Sequence, residues 1–341
     1  MSTGVHLPLF ESLCDELHAQ LAAARTMHAR LLLDSWADNA VASMLEDQHP
    51  ALSAERLAVP DEHFVHREDE APCLVPVPRA LLNPGSRQFL AELLAQAWRH
   101  ALQRQARQPL CAVVLGHADA ASIARHWSDL GHQRPPDAMP ARLFRYQDPR
   151  VMQRVWPLLH PSQRTLWLGP VEQWWSLSQP WGPWDPAQYT SDGEIRRADP
   201  PPRWFRATAP QRDTANFDGA HIGKTCALLD RSQWDAAHAT PYGHRTWARL
   251  ARQRVPVQDQ PDGDTMLRLL TDGRQHGLDG SDLEEYVICT WQTTPLADGS
   301  RELRWQSPRG ERVLKQVLAT LRQQPGTSFI GLFSATLNRR T

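Results

Sequence analysis

The stretch that decides the fold is CAVVLGHADAASIARHWSDL, residues 111–130, because it joins a buried strand to a helix. The continuous apolar run from Cys111 to Leu115 predicts a strand, and Gly116 marks its end. Asp119 then offers a side-chain oxygen that caps a helix, in which apolar residues recur at helical spacing as far as Leu130. This pair of elements predicts one strand–helix unit of a layered α/β domain.

The same alternation of strands and helices continues on both sides of this unit. Further strands are predicted at Leu31–Asp34, Cys73–Val77, Ala141–Tyr146 and Thr165–Gly169. Helices are predicted from Phe10 to Met27, from about Ala37 to Glu46, from Phe89 to Leu102 and from Asp148 onward. Pro76 suits an edge strand better than a central one, since proline cannot donate to a sheet ladder. Together these elements predict an α/β N-terminal domain with a mixed, mainly parallel sheet and flanking helices.

The rest of the chain differs in composition. Residues 179–212 are rich in tryptophan and proline and predict a linker or extended arm. Residues 213–341 show apolar residues at helical spacing in several segments and predict a smaller, mainly helical C-terminal domain. The predicted helices there are Leu229–Ala237, His244–Arg252, Thr265–Arg274, Ser281–Trp291 and Arg309–Arg322. The α/β domain is accordingly assigned to residues 1–178.

Charge and cysteine usage exclude several classes of protein. The chain has 37 lysines and arginines against 38 acidic residues, a net charge of -1, which argues against a nucleic-acid partner. Its five cysteines are dispersed in apolar runs, which favours reduced thiols in the cytosol. The N-terminus resembles no signal peptide, and no apolar run is long enough to span a membrane. We therefore expect a cytoplasmic protein without a membrane partner.

Two segments invite a catalytic or metal-binding interpretation. GAHIGKT, residues 219–225, resembles a phosphate-binding loop, but only three residues separate its glycines and Asp218 stands where a glycine is needed. The histidines and carboxylates of residues 62–70 have no third ligand at a recognisable metal spacing, so a solvated acidic loop is favoured. No serine or cysteine stands in a nucleophile motif. We therefore predict no enzyme activity, no metal and no cofactor.

The tryptophans are the unusual feature, with 14 in the chain. Tryptophan is enriched at protein-binding hot spots because it buries a large area and its indole N–H seeks a partner. Trp174, Trp175, Trp181 and Trp184 fall in a segment with weak predicted structure and are the candidate partner-binding residues. The alternative, equally favoured, is that this arm packs its own indoles against the sheet and joins the two domains.

FRYQDPRV, residues 144–151, is the densest charged block. Asp148 and Pro149 predict the N-cap and first position of a helix. An arginine can pair with this carboxylate or with another at the end of a strand, such as Asp34. We predict a structural motif formed by Asp34, Arg145, Asp148 and Arg150 rather than a direct partner contact.

Four of these segments, in this order along the chain, resemble one known family. They are Leu32–Asp34, Ala71–Val75, the FRYQDPRV block and Leu168–Pro170. Together they are similar to the type VI secretion adaptors encoded beside the VgrG spike and its toxic effectors, of which the FRYQDPRV block is the most specific part. Residues 282–287, DLEEYV, are more weakly similar to the family's C-terminal region. This chain departs from the family pattern at Ser35-Trp36 and at Gln147, which leaves its partner specificity open.

The resemblance implies a non-catalytic chaperone of the Tap type that binds a secreted toxin effector and docks it on VgrG. On this view, the helical domain contributes cargo selectivity, and the α/β domain with the tryptophan arm forms one binding face. Two rivals remain open. One is an immunity-type protein that binds a toxin to neutralise it. The other is a nucleotide-binding enzyme on a doubly wound sheet, using Lys224 and Thr225 or Asp34 at a strand end.

Overall fold

The fold is that of a computed structural model, and all that follows concerns the residues it describes. They are residues 7–35, 38–60, 64–83, 85–101, 108–136, 142–179, 181, 202–210, 228–256, 259–291, 293–295, 301–303, 308–324 and 327–338.

Ten strands and twelve α-helices are present in these ranges. The strands are β1 His28–Leu33, β2 Leu57–Ala58, β3 Cys73–Val77, β4 Leu110–Gly116, β5 His132–Gln133, β6 Arg142–Leu143, β7 Gln173–Leu177, β8 Trp204–Thr208, β9 Thr293–Pro295 and β10 Arg301–Leu303. The helices are α1 Leu7–Ala23, α2 Ala40–Gln48, α3 Pro50–Ala54, α4 Gln88–Ala101, α5 Ala120–Leu130, α6 Pro149–Val155, α7 Pro161–Leu168, α8 Arg231–Arg252, α9 Gly263–Gln275, α10 Gly280–Trp291, α11 Pro308–Gln323 and α12 Phe329–Asn338.

The main sheet is antiparallel throughout, so the prediction of a mainly parallel sheet is wrong. Its six strands lie in the order β2-β3-β1-β4-β7-β8, and every neighbouring pair is antiparallel. Continuous apolar strands are typical of parallel sheets because both faces of such sheets are covered. Here an antiparallel sheet is covered on both faces: Leu31 and Leu33 enter one hydrophobic core, while Leu32 enters the other. The continuous apolar runs in the sequence reflect burial of both faces of the sheet, and not the direction of its strands.

Each face of the sheet carries its own layer of helices. On one face, α1 and α4 bury residues such as Leu17 and Leu93 against the sheet. On the other, α5, α6 and α7 contribute Trp127, Val151 and Trp167. Pro76 of β3 lies beyond the pairing with β2, which involves Leu74 and Cys73 alone. No residue of β2 pairs with Pro76, so β2 needs no backbone N–H from it.

Two strands near the middle of the chain differ from prediction. The segment predicted as a strand at Thr165–Gly169 is the end of α7, which starts at Pro161 and is held by a capping box between His160 and Gln163. Of the predicted strand Ala141–Tyr146, Ala141 lies outside the described residues, and only Arg142 and Leu143 of the described part form a strand, β6. The short apolar run at Thr165–Gly169 is compatible with a strand or a helix, and the capping box favours the helix.

The chain divides into two compact units, which we call the α/β unit and the helical unit. The α/β unit comprises Met1–Pro180 and Asp199–Ala237, and the helical unit comprises Trp181–Ala198 and His238–Thr341. This division differs from the predicted linker at residues 179–212. β8 lies within that linker, yet it pairs with β7 and buries Ala207 completely. The corresponding part of the arm is therefore an edge strand of the sheet.

The helical unit has a core of its own, and its helices largely follow the predicted positions. Trp247, Met266, Tyr286 and Phe329 are fully buried in it. The two helices predicted at residues 229–252 are one helix, α8, which contains Pro241. α12 was not predicted, and β9 pairs with β10 in a separate two-stranded sheet.

Candidate functional site

Asp148 organises the start of α6. Its carboxylate accepts a hydrogen bond from the backbone N–H of Arg150 at 3.0 Å, while Pro149 occupies the first turn, as predicted. The guanidinium of Arg150 donates two further bonds to the same carboxylate, from Nε at 2.8 Å and Nη2 at 2.6 Å. Two parallel charge-assisted bonds fix both side chains in one orientation. Asp148 is 3% exposed and Arg150 is 8% exposed, so the pair is buried.

Arg145 joins this pair to the end of β1. It donates to Asp34 at 3.0 Å and lies 3.6 Å from Asp148. Burial alone would lower the pKa of Arg145, but the carboxylates of Asp148 and Asp34 outweigh it and raise the pKa. The four residues predicted as a structural motif are thus brought together, with two arginines against two buried carboxylates. We call this set the arginine–aspartate cluster.

Asn39, which sequence reasoning passed over, ties the cluster to two further segments. Its Nδ2 donates to the backbone oxygens of Asp34 at 2.8 Å and Pro109 at 3.1 Å. Its Oδ1 accepts from the backbone N–H groups of Val41 and Ala42, capping α2. The signal was present, since an asparagine directly before an apolar helix is a preferred N-cap. The helix predicted from about Ala37 therefore begins at Ala40, directly after this N-cap.

Burial keeps three of the described cysteines in the thiol form. Burial, followed by the nearby carboxylate of Asp34, raises the pKa of the Cys111 thiol well above its usual value. Burial also raises the pKa of Cys73 and raises that of Cys14 to about 12. Since the thiolate is the nucleophilic form, these side chains stay unreactive at neutral pH. Cys226 lies outside the described residues.

The structure explains why residue 169, in the Leu168–Pro170 segment, is a glycine. Gly169 has a φ of +57°, which favours glycine. A Cβ placed there would lie 2.0 Å from the imidazole of His126, whose Nε2 is 2.8 Å from the backbone oxygen of Leu166. Any side chain at this position would displace the imidazole, so the segment must keep its glycine.

The two tryptophans at residues 174 and 175 do not lie in a weakly structured segment, as was predicted, but on β7. Because side chains alternate along a strand, their indoles enter opposite cores. Trp174 is fully buried, with its ring 5.8 Å from that of Trp127. Trp175 is 2% exposed and lies between Trp204, at 5.8 Å, and the guanidinium of Arg206, at 4.0 Å. Both side chains pack the interior here and offer no surface to a partner.

Trp181 is likewise buried, but in the helical unit. Its Nε1 donates to Asp264 at 3.0 Å, and its backbone oxygen accepts from the N–H of Gly263 at 2.9 Å. The indole packs edge-on to Trp247 at 5.5 Å. A Cβ on Gly263 would lie 2.0 Å from this indole. The indole therefore fits only because residue 263 has no side chain. Trp184 lies outside the described residues.

The DLEEYV segment, residues 282–287, forms the centre of α10. Asp282 accepts from the backbone N–H of Phe329 at 2.9 Å, and Glu285 accepts from that of Ile330 at 3.1 Å, so both carboxylates cap α12. Glu284 accepts from Nε of Arg245 at 2.6 Å, which joins α10 to α8. These carboxylates hold the helical unit together. Tyr286 is fully buried, but it borders an open space.

That space is a groove of about 870 Å³, which we call the interhelical groove. It is lined by residues of α9, α10 and α11: Arg268, Leu269, Thr271, Asp272, Gln275, His276, Tyr286, Glu311, Leu314, Lys315 and Leu318. No sequence pattern singled it out, because its walls come from three helices that are each ordinary amphipathic segments.

Each of the polar contacts in the groove lies either on the side formed by α9 and α10 or on the side formed by α11. The hydroxyl of Tyr286 donates to Asp272, and burial together with this bond raises the pKa of the tyrosine. His276 lies 3.8 Å from Asp272. Lys315 pairs with Glu311 at 2.6 Å and lowers the pKa of that glutamate. Within the described chain, no ion pair crosses from the α9 residues of the groove to those of α11.

The remaining sites considered from sequence lie wholly or partly outside the described residues. Residues 219–225, including Lys224 and Thr225, lie outside the described residues, as do Glu62 and His63. In the part of the chain that is described, no three histidine, cysteine or acidic side chains form a group that could hold a metal ion. Within the same ranges, no helix combines the length and apolarity needed to cross a membrane.

Comparison with known proteins gives one match. Residues 31–166 match the model of a domain of unknown function, DUF4123, over less than half of the chain. The match begins inside β1 and ends inside α7, so it includes the whole arginine–aspartate cluster and excludes β7, β8 and the interhelical groove. No curated protein and no solved structure matches the chain.

Proposed function

We propose that this protein is a non-catalytic cytoplasmic adaptor that binds a type VI secretion effector and helps load it onto the VgrG spike. The match of residues 31–166 to DUF4123 carries this proposal. Domains of this family are known in effector-loading adaptors of type VI secretion. The FRYQDPRV block, which carries the sequence resemblance most specifically, lies inside the matched residues.

The geometry of the matched region supports a scaffold rather than a catalyst. Asp34 and Asp148, the buried carboxylates of the cluster, are both engaged by arginines. A general acid or base must be able to contact a substrate, whereas both of these carboxylates are buried and already hydrogen-bonded to guanidinium groups. The nucleotide-binding rival placed Asp34 at the carboxyl end of a parallel strand. In an antiparallel sheet, that rule no longer favours a ligand there.

The two units suggest a division of labour. The α/β unit carries the family match and has a closed interior. Because the match is what relates this chain to other adaptors, we assign to this unit the contact that adaptors would share, such as the one to the spike. The helical unit lies outside the match and has an open groove, which suits a contact that differs from one cargo to the next. The tryptophans at positions 174 and 175 are no longer part of the proposed binding face, since they are buried.

Co-expression tests this proposal directly. The tagged full chain would be expressed with the effector and the VgrG encoded beside it, each alone and both together, and the complexes purified. We expect the effector to bind the chain. We expect VgrG to join this complex only when the effector is bound. A toxin-producing cell that is rescued by this chain alone would instead identify an immunity-type protein, and calorimetric binding of ATP would favour the nucleotide-binding rival.

A further inference from the structure

We infer that helix α8 is a hinge, which bends between Ala237 and Pro241 and lets the helical unit turn relative to the α/β unit. The boundary between the two compact units falls inside this helix, directly after Ala237. Since the chain passes from one unit to the other within α8, any bending of the helix reorients one unit. The hinge is a property of this chain alone and does not rest on the proposed function.

The two parts of α8 are buried in different hydrophobic cores. Before the boundary, Trp234 and Ala237 belong to the core of the α/β unit that also contains Trp174. After the boundary, Ala239 and Trp247 belong to the core of the helical unit. Each part of the helix therefore takes its position from the unit that buries it, and the helical backbone connects the two parts.

The first part of α8 is fixed within the α/β unit by its N-terminal turn. Asp230 accepts the backbone N–H of Gln233 at 2.9 Å. The side-chain amide of Gln233 exchanges two hydrogen bonds with that of Gln163, at 2.7 and 2.9 Å, and donates to the backbone oxygen of Leu158 at 2.8 Å. Gln233 is buried, so these bonds anchor the turn in the interior of that unit.

The second part of α8 is fixed within the helical unit. The hydroxyl of Tyr242 donates to Asp279 at 2.6 Å. One turn later, Nε1 of the fully buried Trp247 donates to the backbone oxygen of Pro261 at 2.9 Å. From Tyr242 onward, α8 is therefore held by residues of the helical unit, which leaves the residues before it to absorb a bend.

Pro241 weakens the helix at the boundary itself. Proline has no backbone N–H, so Pro241 cannot donate the helical hydrogen bond that the carbonyl of Ala237, four residues earlier, would accept. The proline ring also crowds that carbonyl. Sharp bends in helices occur where the hydrogen-bond ladder is interrupted in this way. The missing bond, the change of core and the unit boundary all coincide at Ala237, and this coincidence places the hinge.

A second crossing between the units has a fixed point on each side as well. The backbone N–H of Gln179 donates to the side chain of Gln153 at 2.9 Å, within the α/β unit. Two residues later, Trp181 is held in the helical unit by Gly263 and Asp264. Both described crossings therefore confine bending to the few residues between two attachments, as expected of a hinge.

Distances between spin labels on the full chain test the hinge. Ala19 on α1 and Ala319 on α11 are exposed, so Ala19→Cys and Ala319→Cys would place one label on each unit, in a Cys226→Ser background. The other four cysteines are buried. Ala19→Cys combined with Ala121→Cys labels the α/β unit twice and gives a reference. Measured by double electron–electron resonance, the distance distribution across the two units should be about twice as wide as this reference or wider.

Pro241→Ala tests the position of the hinge. Alanine restores the N–H for Ala237 and favours a continuous helix, so the distribution across the units should narrow about twofold. Pro241→Ser also supplies the N–H and should act in the same direction. Arg252→Ala, which is exposed near the end of α8, is the matched control and should leave the width unchanged.

Two results would overturn the inference. A wild-type distribution across the units as narrow as the reference would show that α8 does not bend. A broad distribution that neither Pro241→Ala nor Pro241→Ser narrows, in variants whose circular dichroism spectra match the wild type, would place the bending elsewhere in the chain.

Discussion

The α/β unit and the helical unit solve the same packing problem in different ways. In the α/β unit, both faces of the sheet are covered, and the buried carboxylates of Asp34 and Asp148 meet arginines. In the helical unit, helices α9 and α11 leave a groove of about 870 Å³ above Tyr286. The first arrangement fills the interior of the α/β unit, whereas the second leaves open space between two helices.

The largest expected effect comes from breaking the arginine–aspartate cluster. Asp148→Ala removes the cap of α6 and leaves the buried guanidinium of Arg150 without its carboxylate. Removing one partner of a buried ion pair costs about 3–5 kcal/mol, so the urea midpoint of the α/β unit should fall sharply.

Asp119→Ala is the matched control for this change. Asp119 also caps a helix, accepting from the backbone N–H of Ser122 at 2.7 Å, but it is exposed. We expect a much smaller loss of stability there. Similar losses for the two variants would show that the cluster is no more than a helix cap.

The next largest loss of stability is expected where Trp181 packs against Gly263. Gly263→Ala places a methyl group against the indole, which must move out of its contact with Trp247. Overpacking of this kind costs about 1–3 kcal/mol and should shift the tryptophan fluorescence to the red. Gly331→Ala, where the nearest atom is 3.9 Å away, should instead stabilise α12 slightly. A neutral Gly263→Ala variant would contradict the described packing.

The buried thiol of Cys14 predicts a pH effect in the α/β unit. Its pKa is raised from 9.0 to about 12 by burial, so the folded protein holds the proton more tightly than the unfolded chain does. The stability is fully present below pH 9 and falls as the pH rises toward 12. The expected slope is about 1.4 kcal/mol per pH unit. Denaturation at pH 8 and pH 10 would measure it, and Cys14→Ala should lack this part of the loss.

The smallest effect concerns the rim of the groove. Arg268→Glu and Lys315→Glu change exposed charges, so each should alter the free energy of unfolding by no more than about 0.5 kcal/mol. This near-neutrality sharpens the contrast with Asp148→Ala: residues that close the α/β unit hold the fold, whereas residues that line the groove do not. A thermal melt of each variant checks it, and a large loss would assign the rim a structural role.

Local signals in the sequence were sufficient where one segment determines its own structure. The cap at Asp148, the proline at the first position of α6 and the helix α5 after Asp119 are all set by neighbouring residues. The partners of Asp34 could be proposed because both carboxylates needed buried cations. Strand direction could not be predicted, since apolar runs such as β4 report burial on both faces and nothing about their neighbours.

The groove and the tryptophans show the other limit. The interhelical groove depends on how far α9 lies from α11, and no local pattern encodes that distance. Composition made Trp174 and Trp175 candidates for a partner surface, with packing of the indoles against the sheet equally favoured. The strand that carries them places their side chains in two different cores. A run of two adjacent tryptophans is compatible with either outcome until the pairing of β7 with β4 and β8 is known.

Hydrogen exchange on the chain, with and without its purified effector, tests the division between scaffold and groove most directly. The account predicts that effector binding slows exchange in α9 and α11, while the strands of the α/β unit and the residues around Asp148 keep their rates. Protection confined to the sheet or to the arginine–aspartate cluster, with α9 and α11 unchanged, would contradict it.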